Sequence, residues 1–118
     1  MYDHIGWKVS DVDASVRFYG GALSALGYVM CSRDDSGASF GPPGEPAPYL
    51  ARGPAGHGVH VAFRAPDRAA VDRFHAGGIA AGGRDNGGPG LRAGYGPSYY
   101  AAFLLDPDGN NIEAVCLR

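Results

Sequence analysis

Residues 4–27, HIGWKVSDVDASVRFYGGALSALG, return 56 positions later as residues 60–83, HVAFRAPDRAAVDRFHAGGIAAGG, without a gap. His4 matches His60, Asp11 matches Asp67, Ala14 matches Ala70, Arg17 matches Arg73 and Phe18 matches Phe74. Gly21 with Gly77, Ala25 with Ala81 and Gly27 with Gly83 continue the series, while Ile5/Val61, Trp7/Phe63, Lys8/Arg64 and Leu23/Ile79 change only in size. An ungapped repeat outranks other sequence signals because it dictates architecture. Here it specifies a duplicated strand-plus-helix unit. Each copy opens its strand with a histidine, so pseudo-symmetry could bring two imidazoles to one site.

Working outward, residues 3–9 alternate, with Ile5, Trp7 and Val9 on one face and His4, Gly6 and Lys8 on the other. Ser10 is a natural N-cap, and Val12, Val16, Tyr19, Leu23 and Leu26 recur at helical spacing up to Gly27, which predicts a helix over 11–26. Short strands follow at 28–33, 38–41 and 48–52. The second copy repeats the plan: a strand at 58–65, a helix capped by Asp67 that ends at Gly82-Gly83, then strands at 98–105 and 111–117 around an Asp106-Pro107-Asp108-Gly109 turn. Residues 84–97 are too rich in glycine for regular structure over most of their length and read as a loop. The fold class is therefore α+β, one domain made of two tandem βαβββ modules, 1–55 and 56–118.

Composition narrows the function classes. The chain has 118 residues, 10 basic and 12 acidic, with a formal charge of -2 and no block of either sign. That leaves no electrostatic footprint for nucleic acid or an anionic membrane surface. No apolar run approaches the roughly 20 residues of a bilayer span, and the start of the chain lacks a signal-peptide pattern. The expectation is a cytoplasmic protein. Cys31 and Cys116, far apart and in strand-like contexts, read as reduced residues without chemistry.

One carboxylate interrupts an otherwise apolar strand: Glu113, within Asn111-Ile112-Glu113-Ala114-Val115-Cys116. Burying a carboxylate alone is expensive, so it must be paired or metal-bound. His4 and His60 are its natural companions. Two imidazoles and a carboxylate suit a first-row divalent ion (Zn, Ni, Mn, Fe or Co) and leave coordination positions open.

At these residues the chain resembles the vicinal oxygen chelate superfamily, which groups glyoxalase I, bleomycin and fosfomycin resistance proteins and extradiol dioxygenases. The resemblance covers Asp3-His4-Ile5, Val9-Ser10-Asp11 leading to Phe18-Tyr19, Gly58-Val59-His60-Val61-Ala62-Phe63, and Asp106 through Glu113. It is most similar locally to bacterial glyoxalase-like (lactoylglutathione-lyase-like) proteins. The resemblance implies paired modules curving into an open half-barrel, metal ligands His4, His60 and Glu113, and a homodimer whose site lies within one chain or is shared between two. Departures matter too. Counting from Phe40 as Glu113 counts from Phe103 puts Leu50 where glyoxalase I has a fourth ligand, and Glu45 is the nearest carboxylate. Gly96 and Phe103 stand where ring-cleaving dioxygenases carry a His and a Tyr, and Gly6 replaces a Thr of fosfomycin resistance enzymes.

What remains is lyase or isomerase chemistry on a small oxygenated metabolite chelated to the ion, which would stabilise charge as a carbon-bound proton leaves. Glu113 and Tyr99 are the candidate catalytic groups, since strand parity sets Tyr99, Ala101 and Phe103 on one side. Lys8 and Arg64, equivalent in the two copies and about 13 Å beyond the histidines, could grip an anionic group, and Phe103 could contact substrate. Arg84, Asp85, Asn86, Arg92 and Tyr95 could form a rim without any one having an assigned role. Two alternatives stand beside this reading: a non-catalytic drug-binding module of the bleomycin-resistance type, and an Fe(II) ring-cleaving dioxygenase.

Overall fold

In the computed structural model, residues 3–56 and 58–118 are described; residues 1, 2 and 57 of the two expected modules lie outside them. The alternating stretch of the first copy forms β1 (Ile5–Val9), followed by α1 (Val12–Leu23), a 3-10 turn at Ser24–Leu26, β2 (Val29–Asp34), β3 (Gly37–Gly41) and β4 (Pro48–Arg52). The second copy gives β5 (His60–Arg64), α2 (Arg68–Ala80), β6 (Arg84–Leu91), β7 (Tyr100–Leu105) and β8 (Asn111–Cys116). Each copy makes its own four-stranded sheet, ordered β1-β4-β3-β2 and β5-β8-β7-β6. In both, the strand that opens the module runs parallel to the one that closes it, and the other pairs are antiparallel. No described helix is long and apolar enough to cross a membrane.

Two local expectations are corrected. Asp11, not Ser10, caps α1, accepting from Ala14 N at 3.0 Å, as Asp67 accepts from Ala70 N at 2.7 Å to cap α2. The repeat already pairs these aspartates, and Ser10 is left for a contact across the modules. The second correction concerns 84–97. Residues 84–91 are a strand, paired to β7 through register shifts at Asp85/Gly87 and Gly87/Gly90. Gly87 sits at φ 143°, which a side chain would resist, so glycine permits the irregular strand rather than abolishing it.

The helix faces and the inner faces of both sheets share one core that includes Val9, Phe18, Tyr19, Leu23, Phe40, Val71, Phe74, Leu104 and Ile112. Of the two cysteines, both expected in the core, Cys116 is buried there, whereas Cys31 is partly exposed; both are free thiols. At the crossing of α1 and α2 the chains of the two helices nearly touch. A Cβ on Gly21 would stand 2.9 Å from Gly77 O, and one on Gly77 would stand 2.5 Å from Gly21 O. These glycines are partners in the repeat. Contact between equivalent residues places the pseudo-twofold axis between the helices.

Polar contacts reinforce that arrangement around the Asp106–Gly109 turn. Tyr19 OH donates to Asp106 Oδ2 at 2.6 Å, and Asp106 also accepts from the amides of Asp108 and Asn110 and from Asn110 Nδ2. Ser10 donates to Asp108 through its hydroxyl and its amide. Burial and the neighbouring Asp106 carboxylate push the Tyr19 phenol far above its ordinary pKa, so it remains a donor.

Candidate functional site

Alternation along β8 separates two environments. Ile112, Ala114 and Cys116 enter the core, while Glu113 takes the other face of the sheet, yet is only 2% exposed. Its neighbours across the sheet are Ala62 in β5 and Phe103 in β7. His60, two residues before Ala62, therefore projects on the same side, and its Nε2 lies 3.2 Å from Glu113 Oε1. The other ring nitrogen, Nδ1, is 3.0 Å from Asn111 O. A carbonyl only accepts, so Nδ1 carries a proton. In the neutral imidazole, Nε2 is then a lone pair facing a carboxylate oxygen. Two acceptors at that separation need something between them: a proton, carried by the ring or by the carboxyl, or a metal ion.

The remaining carboxylate oxygen is taken. Tyr99 OH donates to Glu113 Oε2 at 2.5 Å, from the residue just before β7. Its pKa is pushed up to about 12, first by that hydrogen bond and then by burial and the carboxylate charge. At neutral pH it is a phenol and a donor. Phe103 stacks beside His60 at 6.5 Å between centroids and 22° between planes. Tyr95 packs edge-on against Tyr99 at 5.2 Å.

Not all the candidate residues gather here. His4 stands just before β1, with Nδ1 2.6 Å from Asp3 Oδ1 and its ring edge-on to Tyr49 at 5.1 Å. Among the described residues no three His, Cys, Asp or Glu side chains converge on a common point, so one chain unites His60 and Glu113 but leaves His4 apart. Lys8 is exposed in β1, its stem against Gly53, and Arg64 is exposed at the far end of β5, opposite Val115. Neither forms an ion pair with a described residue.

Register also corrects the counterpart of Glu113. Glu113 lies opposite Ala62, whose repeat partner is Gly6; the residue opposite Gly6 in β4 is Tyr49. Leu50 is one residue out of phase, buried in the core as Ala114 is. Module one thus sets a phenol beside His4 where module two sets a carboxylate beside His60. Sequence reasoning missed the Asn111 carbonyl as the group that orients His60. Its signal is the β5/β8 register, in which His60 lies opposite Asn111, and the side chain of Asn111 is itself held by Asn86 Nδ2 at 3.2 Å.

Comparison with known proteins agrees with this architecture. The structure is similar to a glyoxalase/bleomycin resistance protein from Albidiferax ferrireducens T118, 33% identical over 98% of both chains with a TM-score of 0.80. It shares its fold with a glyoxalase/bleomycin resistance protein/dioxygenase family enzyme from Burkholderia phytofirmans PsJN, at 18% identity, 98% coverage of both chains and a TM-score of 0.75. A glyoxalase-related enzyme from Fulvimarina pelagi matches at 17% identity and a TM-score of 0.76, over 98% of this chain and 87% of that one. Among curated proteins, no sequence matches this one. The family model of the Glyoxalase/Bleomycin resistance protein/Dioxygenase superfamily matches residues 2–114, and with the duplicated βαβββ plan this establishes that the chain belongs to that superfamily.

Proposed function

We propose that this protein is a divalent-metal-dependent, glyoxalase-like enzyme that carries out lyase or isomerase chemistry on a small oxygenated metabolite. In this reading the site is shared in a homodimer, with His60 and Glu113 from one copy and His4 from a second. The observation that carries the reading is the pair of facing acceptors, Nε2 of His60 and Oε1 of Glu113, at 3.2 Å. The donor set fits a metal: a half-exposed imidazole whose tautomer is fixed by a backbone carbonyl, beside a buried carboxylate whose second oxygen is already satisfied.

Bound there, a divalent ion supplies Lewis acidity that eases removal of a proton beside a chelated carbonyl. The residues of the chain divide the remaining work. The Asn111 carbonyl accepts from Nδ1 of His60, which orients the ring so that Nε2 faces Glu113. Tyr99 fixes the rotation of the Glu113 carboxylate and, with its pKa pushed up to about 12, donates rather than accepts a proton near neutrality. Glu113 could serve as the base for a carbon-bound proton only by releasing the ion, since its other oxygen is held by Tyr99. Phe103, beside His60, closes the apolar flank on which the carbon skeleton rests.

Metal analysis of protein purified without added ions tests the reading directly. Wild type should carry a stoichiometric divalent ion, and His4→Ala and His60→Ala should each lose it. Mixing the two variants, unfolding and refolding them together then tests the sharing. Random pairing makes half the dimers mixed, and each mixed dimer rebuilds one intact site of two, so about one quarter of the sites recover metal. A site confined to one chain gives no recovery. Wild type that takes up no divalent ion, even when one is supplied, would overturn the enzymatic reading and leave a metal-free binding groove.

A further inference from the structure

We propose that Arg92 is the anion-recognition residue of this site, and that the substrate carries a carboxylate in addition to the oxygens bound between His60 and Glu113; this rests on the site proposed above. Arg92 opens the 92–99 connection, and its amide donates to Tyr99 O at 2.8 Å, so its backbone is fixed against the residue that holds Glu113. The side chain folds back over the sheet. Its guanidinium carbon lies 5.4 Å from the Phe103 ring, the same ring that stacks beside His60. One aromatic ring therefore links the cation to the imidazole.

The glycines of β6 make room for this placement. A Cβ on Gly87 would stand 3.2 Å from one terminal nitrogen of Arg92, and a Cβ on Gly90 would stand 3.2 Å from the other. Side chains at these positions would crowd the guanidinium and force it to shift by a few tenths of an ångström. The glycine-rich strand is thus a bed for the arginine. One nitrogen donates to Gly88 O at 2.6 Å, and no described carboxylate pairs with it. A guanidinium has five N–H donors in a planar fork matched to a carboxylate. A half-buried one that lacks an acidic partner, beside a reactive constellation, is equipped to receive that anion from a ligand.

The test uses the full chain loaded with Zn2+ and two chelating probes: acetohydroxamic acid, which is uncharged beyond its chelating end, and succinic monohydroxamic acid, which adds a carboxylate. In calorimetric titrations wild type should bind the carboxylated probe about tenfold more tightly or better, the span of a charge-assisted hydrogen bond. Arg92→Gln should abolish that preference while leaving acetohydroxamate affinity unchanged. Gly90→Ala keeps the charge but displaces it, and should shrink the preference too. Equal binding of both probes by wild type, or a preference that survives in Arg92→Gln, overturns the proposal. If neither probe binds, the metal reading fails, and Arg92 is judged on metal-free protein by titrating succinate against its side-chain 15N–1H resonance. A saturable shift supports an anion site at Arg92, and an unmoved resonance refutes it.

Discussion

Two adjacent glycines in α1 should respond to the same substitution with opposite signs. Replacing glycine with alanine inside a helix gains up to about 1 kcal/mol by restricting the unfolded chain and improving helix propensity. At Gly20 the added methyl would meet nothing nearer than Phe40 Cε1, at 4.0 Å, an ordinary contact. Gly20→Ala should therefore stabilise by about 0.5–1 kcal/mol. At Gly21 the same methyl would lie 2.4 Å from Ala81 Cβ and 2.9 Å from Gly77 O, on the backbone of α2. That cannot be relieved by a rotamer change; the helices must separate. Overpacking of this kind costs about 1–3 kcal/mol, which exceeds the propensity gain and leaves a net loss of roughly 1–2 kcal/mol. For a domain near this size each kcal/mol moves the melting temperature by about 4–8 °C, so the two variants should melt on the order of 10 °C apart. Thermal unfolding at one fixed chain concentration reads the difference, because association between copies would make the melting temperature depend on concentration. Gly21→Ala melting at or above wild type would mean that the helices do not cross where we place them. The separation of His4 from His60 would then lose its geometric basis.

Other consequences are as direct. Tyr19→Phe removes a donor from Asp106, which is fully buried, and should cost about 1–3 kcal/mol in denaturant unfolding, with metal content unchanged. Tyr99, raised from 10.0 to about 12, should ionise late: a phenolate absorbance titration of wild type minus Tyr99→Phe should show its midpoint well above those of exposed tyrosines. Because the folded-state pKa is the higher one, this hydrogen bond contributes its full stability below pH 10 and loses it as pH rises through 12, so the two proteins should converge in stability in strong base. Tyr49→Glu gives module one the carboxylate that module two already has, and should tighten divalent-ion binding measured by competition with a chelating dye.

The sequence was most legible where a side chain repeats a pattern. The 56-residue offset located both helices and the strands that flank them, and Asp11 and Asp67 start each helix where the alignment puts them. Glu113 was found because a charge in an apolar strand has few stable explanations, and Tyr99 because parity sets it on the Phe103 side. Two things escaped for the same physical reason: pattern reading needs side chains and uniform spacing. Gly87, Gly88 and Gly90 offer no alternation, so β6 looked like a loop although its backbone pairs with β7. Counting failed at Leu50 because it started from Phe40, matched to Phe103 by its side chain, whereas the register sets Ser39 opposite Tyr49 as it sets Phe103 opposite Glu113. The β1/β4 pairing likewise reveals Tyr49.

The orientation of the modules is a different kind of loss. A repeat states that two units are alike but not which surfaces they bring together. Equivalent histidines at strand starts suggested an axis between β1 and β5. The Gly21–Gly77 contact puts the axis between the helices, where the absence of side chains lets two backbones approach, and Ile5 of β1 shares a cavity with Val61, Ala62 and Phe63 of β5. The two sheets remain separate, with the opening strand of each module, β1 and β5, at a sheet edge. An edge strand carries unpaired backbone groups and invites a neighbour. In each module the histidine strand therefore has one open edge, as β2 and β6 do at the other side of each sheet, and in the shared site proposed above a second copy that covers the β5 edge with its own β1 would bring His4 toward His60 and Glu113. The small size of Gly21 and Gly77 thus bears on the proposed chemistry: by letting the helices meet, these glycines set the spacing of the two modules, and with it how far His4 stands from His60 and Glu113 within one chain.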